Sequence, residues 1–248
     1  MQRNATRCSR CGTRCSIDAA GACRPGQRVR PGGLTRQAVL GRLLNAPLRA
    51  VRGLRRPRQA WVTLCALAAG GAVLAWWLPA NSLDWQPQRF AAEPWRAISA
   101  AWVHWSPLHL GANLLGTAVL MALGWAARLP ARAALAWLLA WPLTHIALAV
   151  QPALAHYGGL SGVLHAGVAV AALWLLLHER AAVRRTIGGA ILAGLLLKLV
   201  LEEPWGAPLR EGGGWDIAVA PLAHATGAAA GAVCALGLWW QGRRPRRL

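Results

Sequence analysis

The chain has 248 residues, 56% of them hydrophobic and only 14% charged, with 27 Lys+Arg against 8 Asp+Glu and a formal net charge of +19. A basic excess of this size ordinarily points to nucleic acid. The apolar fraction points elsewhere: it exceeds what a soluble domain of this length needs, and it excludes disorder for most of the chain.

Residues 1–60 are rich in Arg, Gly and Pro, show no sustained apolar period, and are expected to form a basic, disordered cytoplasmic segment. Cys8, Cys11, Cys15 and Cys23 lie there. A Cys-x-x-Cys opening followed by two more cysteines offers four thiolates to zinc, or else four reduced thiols in a cytoplasmic tail. The apolar run that follows is too long for a signal peptide.

A bilayer core needs about 20 mostly apolar helical residues to cross it. Six stretches are read as spans: Trp61–Ala80, Ala97–Ala127 with a lead-in loop, Ala133–Val150, Gly159–Leu177, Ile187–Leu201 and Ile217–Trp240. The expected class is an all-α integral membrane protein, with a six-span core over 61–241 and a basic tail over 242–248. Trp61, Trp76, Trp77, Trp105, Trp125, Trp205, Trp215, Trp239 and Trp240 fall near span ends, where indole prefers the headgroup region.

Charge orients the bundle. Fourteen basic residues precede Trp61 and four follow Gln241, and the loops near Arg128 and Arg184 carry five more. The alternate loops hold only Arg89, Arg96 and Arg210, together with Asp84, Glu93, Glu202, Glu203, Glu211 and Asp216. Basic loops stay cytoplasmic, so both termini are expected inside. Lys198 is expected to snorkel to the outer surface.

Polar groups inside hydrocarbon are costly and mark functional sites. No Asp or Glu falls within the six spans, which disfavours His-Glu-x-x-His zinc proteases and carboxylate-based carriers. His104, His109, Asn113, His145, Ser161, His165 and His224 remain. Spans two, four and six run from outside to inside, so His109, Asn113, Ser161 and His224 share the outer third of the bilayer. His109 and Asn113, at i and i+4, lie on one helix face. Ser106-Pro107 before them is a helix start. Ser161 sits in Gly158-Gly159-Leu160-Ser161-Gly162, where a helix amino end supplies backbone donors and a positive dipole. Gly227 and Gly231 give span six a face that admits another backbone, and His224 lies on that face. Generic helix packing also explains such glycines, and a lone membrane histidine is often structural. The serine, the imidazole and the His/Asn pair at one depth favour a hydrolytic site.

These residues resemble the rhomboid family of intramembrane serine proteases. Trp95-Arg96 with His104, His109 and Asn113 resembles the family's first-loop Trp-Arg and His-x4-His-x3-Asn. Gly159-Leu160-Ser161-Gly162 resembles its Gly-x-Ser-Gly, and His224, Gly227 and Gly231 resemble its final-span His-x2-Gly-x3-Gly. The resemblance implies Ser161 as nucleophile and His224 as base, in a dyad without an aspartate. It also implies His109 and Asn113 on the oxyanion, and His104, Gly159, Gly162, Gly227 and Gly231 in support. No cofactor is implied.

His165 stands where many rhomboids carry Tyr beneath the imidazole, and could equally be a plain packing residue. The Gly-Leu-Ser-Gly-Val-Leu-His run is similar to the rhombosortase branch. That implies single-span, membrane-anchored protein substrates bearing a carboxy-terminal Gly-Gly tag, cut near the outer, periplasmic face of a bacterial inner membrane. The expected partners are those substrates and the bilayer, with no nucleic acid. Gly206 to Gly214 could form a mobile cap. A client-binding pseudoprotease and a histidine-based haem or transport protein are the competing classes.

Overall fold

The computed structural model describes residues 16–17, 23–24, 58–212 and 214–243. Cys8, Cys11, Cys15 and the side chain of Cys23, proposed above as zinc ligands, lie outside the described residues, as does the tail beyond 243. In the amino-terminal unit, Ser16–Ile17 (β1) pairs antiparallel with Cys23–Arg24 (β2).

The other unit is helical. Among the described residues its α-helices are α1 (Gln59–Ala75), α2 (Arg96–Ser99), α3 (Pro107–Ala126), α4 (Ala131–Ile146), α5 (Ser161–His178), α6 (Ala182–Glu202) and α7 (Pro221–Arg243). Four segments are long and apolar enough to cross a membrane: Pro107–Ala126, Ala131–Val150, Ser161–His178 and Pro221–Gly242. Helix α1 is apolar but shorter.

Each helix packs through a stripe that its sequence spacing dictates. In α1 the buried residues are Trp61, Leu64, Cys65, Ala68, Ala72 and Ala75, a repeat of three and four that keeps one face inward. In α3 the inward stripe is His109, Asn113, Thr117, Leu120 and Gly124, apolar only in its second half. Its polar members satisfy one another down the helix: Asn113 Nδ2 donates to His109 O at 3.1 Å and Thr117 Oγ1 to Asn113 O at 2.8 Å. Helix α5 is the hub, packed against α3, α4, α6 and α7, and most of its residues are buried. By contrast α6 buries only Gly188 and Leu195, and it presents Leu196, Leu197, Val200 and Leu201 outward.

Several expectations need correction. Helix α1 stops at Ala75 rather than Ala80, because Pro79 disfavours helical backbone at Leu78 and the chain turns there. Trp61 is not an interfacial indole. It is fully buried, its Nε1 donates to Leu120 O at 3.0 Å, and its ring packs 4.8 Å from Trp137. Trp76, Trp77, Trp105, Trp125, Trp205, Trp215 and Trp240 are exposed, as an interfacial belt requires. Helix α6 extends past both ends of the apolar stretch, to Ala182 and Glu202, because its terminal charges find partners: Arg184 pairs with Glu179 and Lys198 with Glu202. Residues 217–220 are not helical. Val219 is bridged to Arg210, and the helix starts at Pro221, whose missing N–H costs nothing at a first position.

The segment between α1 and α3 is pinned by a buried ion cluster. Arg96 Nη1 meets Asp84 Oδ1 at 3.0 Å, both groups almost wholly excluded from solvent. The same nitrogen donates to Asn81 O and Asp84 O, Nε pairs with Glu93, and Asp84 Oδ2 meets His156 Nδ1. Arg96→Ala is expected to destabilise the protein by about 3–5 kcal/mol, the usual cost of stranding one member of a buried pair. A lowered thermal midpoint in detergent checks this, and an unchanged midpoint would show the cluster to be dispensable.

Candidate active site

The nucleophile loop hangs on that pinned segment. Trp85 and Tyr157 exchange backbone hydrogen bonds at 2.7 and 3.0 Å, and Gly159 N–H donates to Ala100 O at 2.9 Å. Gly159 has φ +141°, where a side chain is strained, and a Cβ there would come within 2.8 Å of His109 Nε2. Glycine is therefore required twice over, by conformation and by the imidazole lying against it. Tyr157, not singled out from sequence, donates its hydroxyl to Gly159 O at 3.3 Å. The loop delivers Ser161 as the first residue of α5, where the free N–H groups and dipole of a helix start converge.

Four helix ends meet here. Ser161 opens α5, His109 is the third residue of α3, His224 the fourth of α7, and Glu202 the last of α6. Ser106 caps α3 by accepting from His109 N–H at 3.0 Å, and its hydroxyl donates to Asp216 Oδ1 at 2.7 Å. This second bond ties the start of α3 to the loop that precedes α7.

His224 reaches Ser161 because α5 and α7 cross with almost no space between their backbones. A Cβ on Gly227 would run into the carbonyl of Gly162, and one on Gly231 into that of Ala166. A Cβ on Gly162 would in turn lie 2.7 Å from Ala223 O. The three glycines marked from sequence are thus the contact itself. Across it, His224 Nε2 stands 3.0 Å from Ser161 Oγ.

The other marked residues surround this pair. His165 lies parallel to His224, with centroids 4.2 Å apart and planes 13° apart, and its Nδ1–H donates to Ser161 O at 2.7 Å. His109 Nδ1 accepts from Trp105 N–H at 3.5 Å, which leaves the Nε2 proton on the side facing Gly159. Asn113 is buried and uses one of its two amide hydrogens on His109 O. His104 packs 4.7 Å from the His109 ring and bonds Trp102 O at 3.1 Å. His145 is set apart: fully buried, it bonds Ala97 O at 2.7 Å and supports α2.

One participant was placed elsewhere by sequence. By charge and hydropathy Glu202 belongs to an outer loop, yet its Oε2 lies 2.7 Å from His224 Nδ1, while its other oxygen pairs with Lys198. Hydropathy could not show this, because a carboxylate at the end of a helix reads only as a boundary charge. Ligand atoms of His165, Glu202 and His224 fall within 4.8 Å of one another, a spacing a metal ion could bridge. In this arrangement both nitrogens of His224 are already engaged, by Ser161 and by Glu202, so an ion would have to break those contacts.

A cavity of about 820 Å³ opens beside Ser161, His224 and Asn113. Gly116 of α3 and Gly194 of α6 line two of its walls, and Trp215 and Val219 of the 203–220 loop help to close it. The family model for the Rhomboid domain matches residues 91–241. No curated protein matches the chain.

Proposed function

Because the chain belongs to the rhomboid family, whose members are generally intramembrane serine proteases, we propose that it is a membrane-embedded endopeptidase with Ser161 as nucleophile and His224 as base. The observation that carries this reading is the 3.0 Å contact between Ser161 Oγ and His224 Nε2 at a helix start, opening on a cavity. A serine hydroxyl is a weak nucleophile until a base takes its proton. Ser161 Oγ attacks the scissile carbonyl as His224 Nε2 accepts that proton. His224 then gives it to the leaving amine, and the acyl-enzyme forms. Water attacks the acyl carbon, His224 again takes the proton, and collapse restores the serine hydroxyl and frees a carboxylic acid.

The developing oxyanion needs fixed donors. The Ser161 N–H, the His109 Nε2–H and the remaining amide hydrogen of Asn113 are the groups assigned to it, with His104 behind His109. Helices α1 and α6 complete a six-span bundle with both termini cytoplasmic. The excess of basic residues before Trp61 and after Gln241 supports that orientation. The catalytic end is accordingly assigned to the outer face of a bacterial inner membrane, the side from which the water for deacylation would enter.

The substrates assigned are single-span membrane proteins with a carboxy-terminal Gly-Gly tag, a membrane helix and a basic tail, released or transferred after cleavage. The largely apolar cavity walls, with Gly116 and Gly194 among them, support a substrate that enters from the membrane as a narrow, small-residue strand. The test is cleavage of such a tagged protein in the same membrane, with the new carboxyl terminus read by mass spectrometry. A cut near the tag that disappears in Ser161→Ala is the expected result. Undiminished cleavage by Ser161→Ala would refute the serine mechanism, and an uncut tag with other single-span proteins cleaved would refute the substrate class.

A further inference from the structure

The imidazole of His224 is engaged at both ends. Nε2 faces Ser161 Oγ at 3.0 Å and Nδ1 faces Glu202 Oε2 at 2.7 Å. An ionised carboxylate only accepts, so the ring proton belongs on Nδ1 and the bare Nε2 lone pair points at the serine hydroxyl. A base needs that tautomer, and a histidine with no partner on Nδ1 has nothing to select it. Glu202 is itself tethered, since its second oxygen pairs with Lys198 one turn earlier on α6. The face of the ring is held by the stacked His165, which is fastened to the Ser161 carbonyl.

We infer that Glu202 is a positioning residue for the reaction, fixing the tautomer and orientation of His224 and stabilising the imidazolium formed when Ser161 gives up its proton. The relay is then Ser161–His224–Glu202, supplied by α5, α7 and α6, in place of a dyad. This rests on the protease reading above. The carboxylate is only part-buried, its side chain 26% exposed against 7% for His224, so its influence is expected to be smaller than that of a fully buried acid.

The experiment uses the full chain in proteoliposomes with a single-span substrate, and measures kcat, KM and the rate at which a fluorophosphonate probe labels the serine. Glu202→Gln is expected to lower kcat by about 10²-fold, below the ~10⁴-fold found where the acid is buried, with KM within about twofold. Probe labelling should slow by a similar factor. Glu202→Asp, which keeps the charge, is expected to regain at least about tenfold of the loss, whereas the neighbouring Glu203→Gln should match the parent.

Parent-like kcat and labelling in Glu202→Gln, with Ser161→Ala inactive, would overturn the inference and leave the protease reading standing. Parent-like cleavage by Ser161→Ala would instead remove the reading on which the inference rests. An aspartate variant no faster than the glutamine variant would make Glu202 a packing residue and overturn the inference as well. Should Glu202→Gln fail to fold, Glu202→Asp is compared with Glu202→Asn. The same gap is expected there, and equal rates would overturn the assignment.

Discussion

His224→Ala is expected to reduce kcat by roughly 10⁴-fold or more, and the Ser161→Ala, His224→Ala double variant to lose no more than either single change. Groups that act as one unit are strongly non-additive, because removing either member already abolishes the step they perform together. With Nε2 only 3.0 Å from Oγ, the imidazole has no substitute among the described groups: His165 lies parallel to it, with its Nδ1–H committed to the Ser161 carbonyl. Residual turnover would reflect binding and the oxyanion donors alone. Cleavage assays on the three variants, each shown to be folded by its thermal midpoint, check the prediction. Losses that multiply in the double variant would mean that serine and histidine act independently.

Gly227→Val is expected to abolish cleavage, and even Gly227→Ala to cost about 100-fold, since a misplacement of about 1 Å at a reacting centre has that effect. The atom in the way is the backbone carbonyl of Gly162, next in sequence to the nucleophile, and not the yielding tip of a side chain. The added methyl can be accommodated only by parting α5 from α7, which moves Ser161 away from His224. Overpacking of this kind also costs about 1–3 kcal/mol in stability, so the thermal midpoint should fall too. Gly237→Ala supplies the contrast on the same helix, because nothing lies within 4 Å of a Cβ there. Equal activity in the Gly227 and Gly237 variants would show that the crossing tolerates separation.

The sequence marks Ser161, His224, His109 and Asn113 as one group and gives Gly227 and Gly231 a packing role; the structure brings the four residues to neighbouring helix ends and puts both glycines at a backbone contact. Those signals were legible because they are local: a capped helix start, an i, i+4 pair, a small-xxx-small face. What escaped depends on contacts distant in sequence. In the sequence Glu202 is a topological charge, and only the direction taken by the last turn of α6 aims it at a residue 22 positions away. Trp61 lies near a span end in the sequence, whereas its burial depends on Gly124 leaving room for the ring. The sequence puts the start of α7 too early because Ile217-Ala218-Val219 is as apolar as a helix, and the pairing of Val219 with Arg210 has no local signature.

The glycine crossing gives the site a mechanical character. Helices α5 and α7 touch backbone to backbone, so a shift of one is transmitted to the other and Ser161 travels with His224. Glu202 rides on α6, a third helix that packs inward through Gly188 and Leu195, with Ile191, Leu192 and Leu199 against the core beside them. The attacking pair is set by one helix crossing, whereas the carboxylate that steadies it arrives on a different helix with contacts of its own, so the pair and its support are positioned separately.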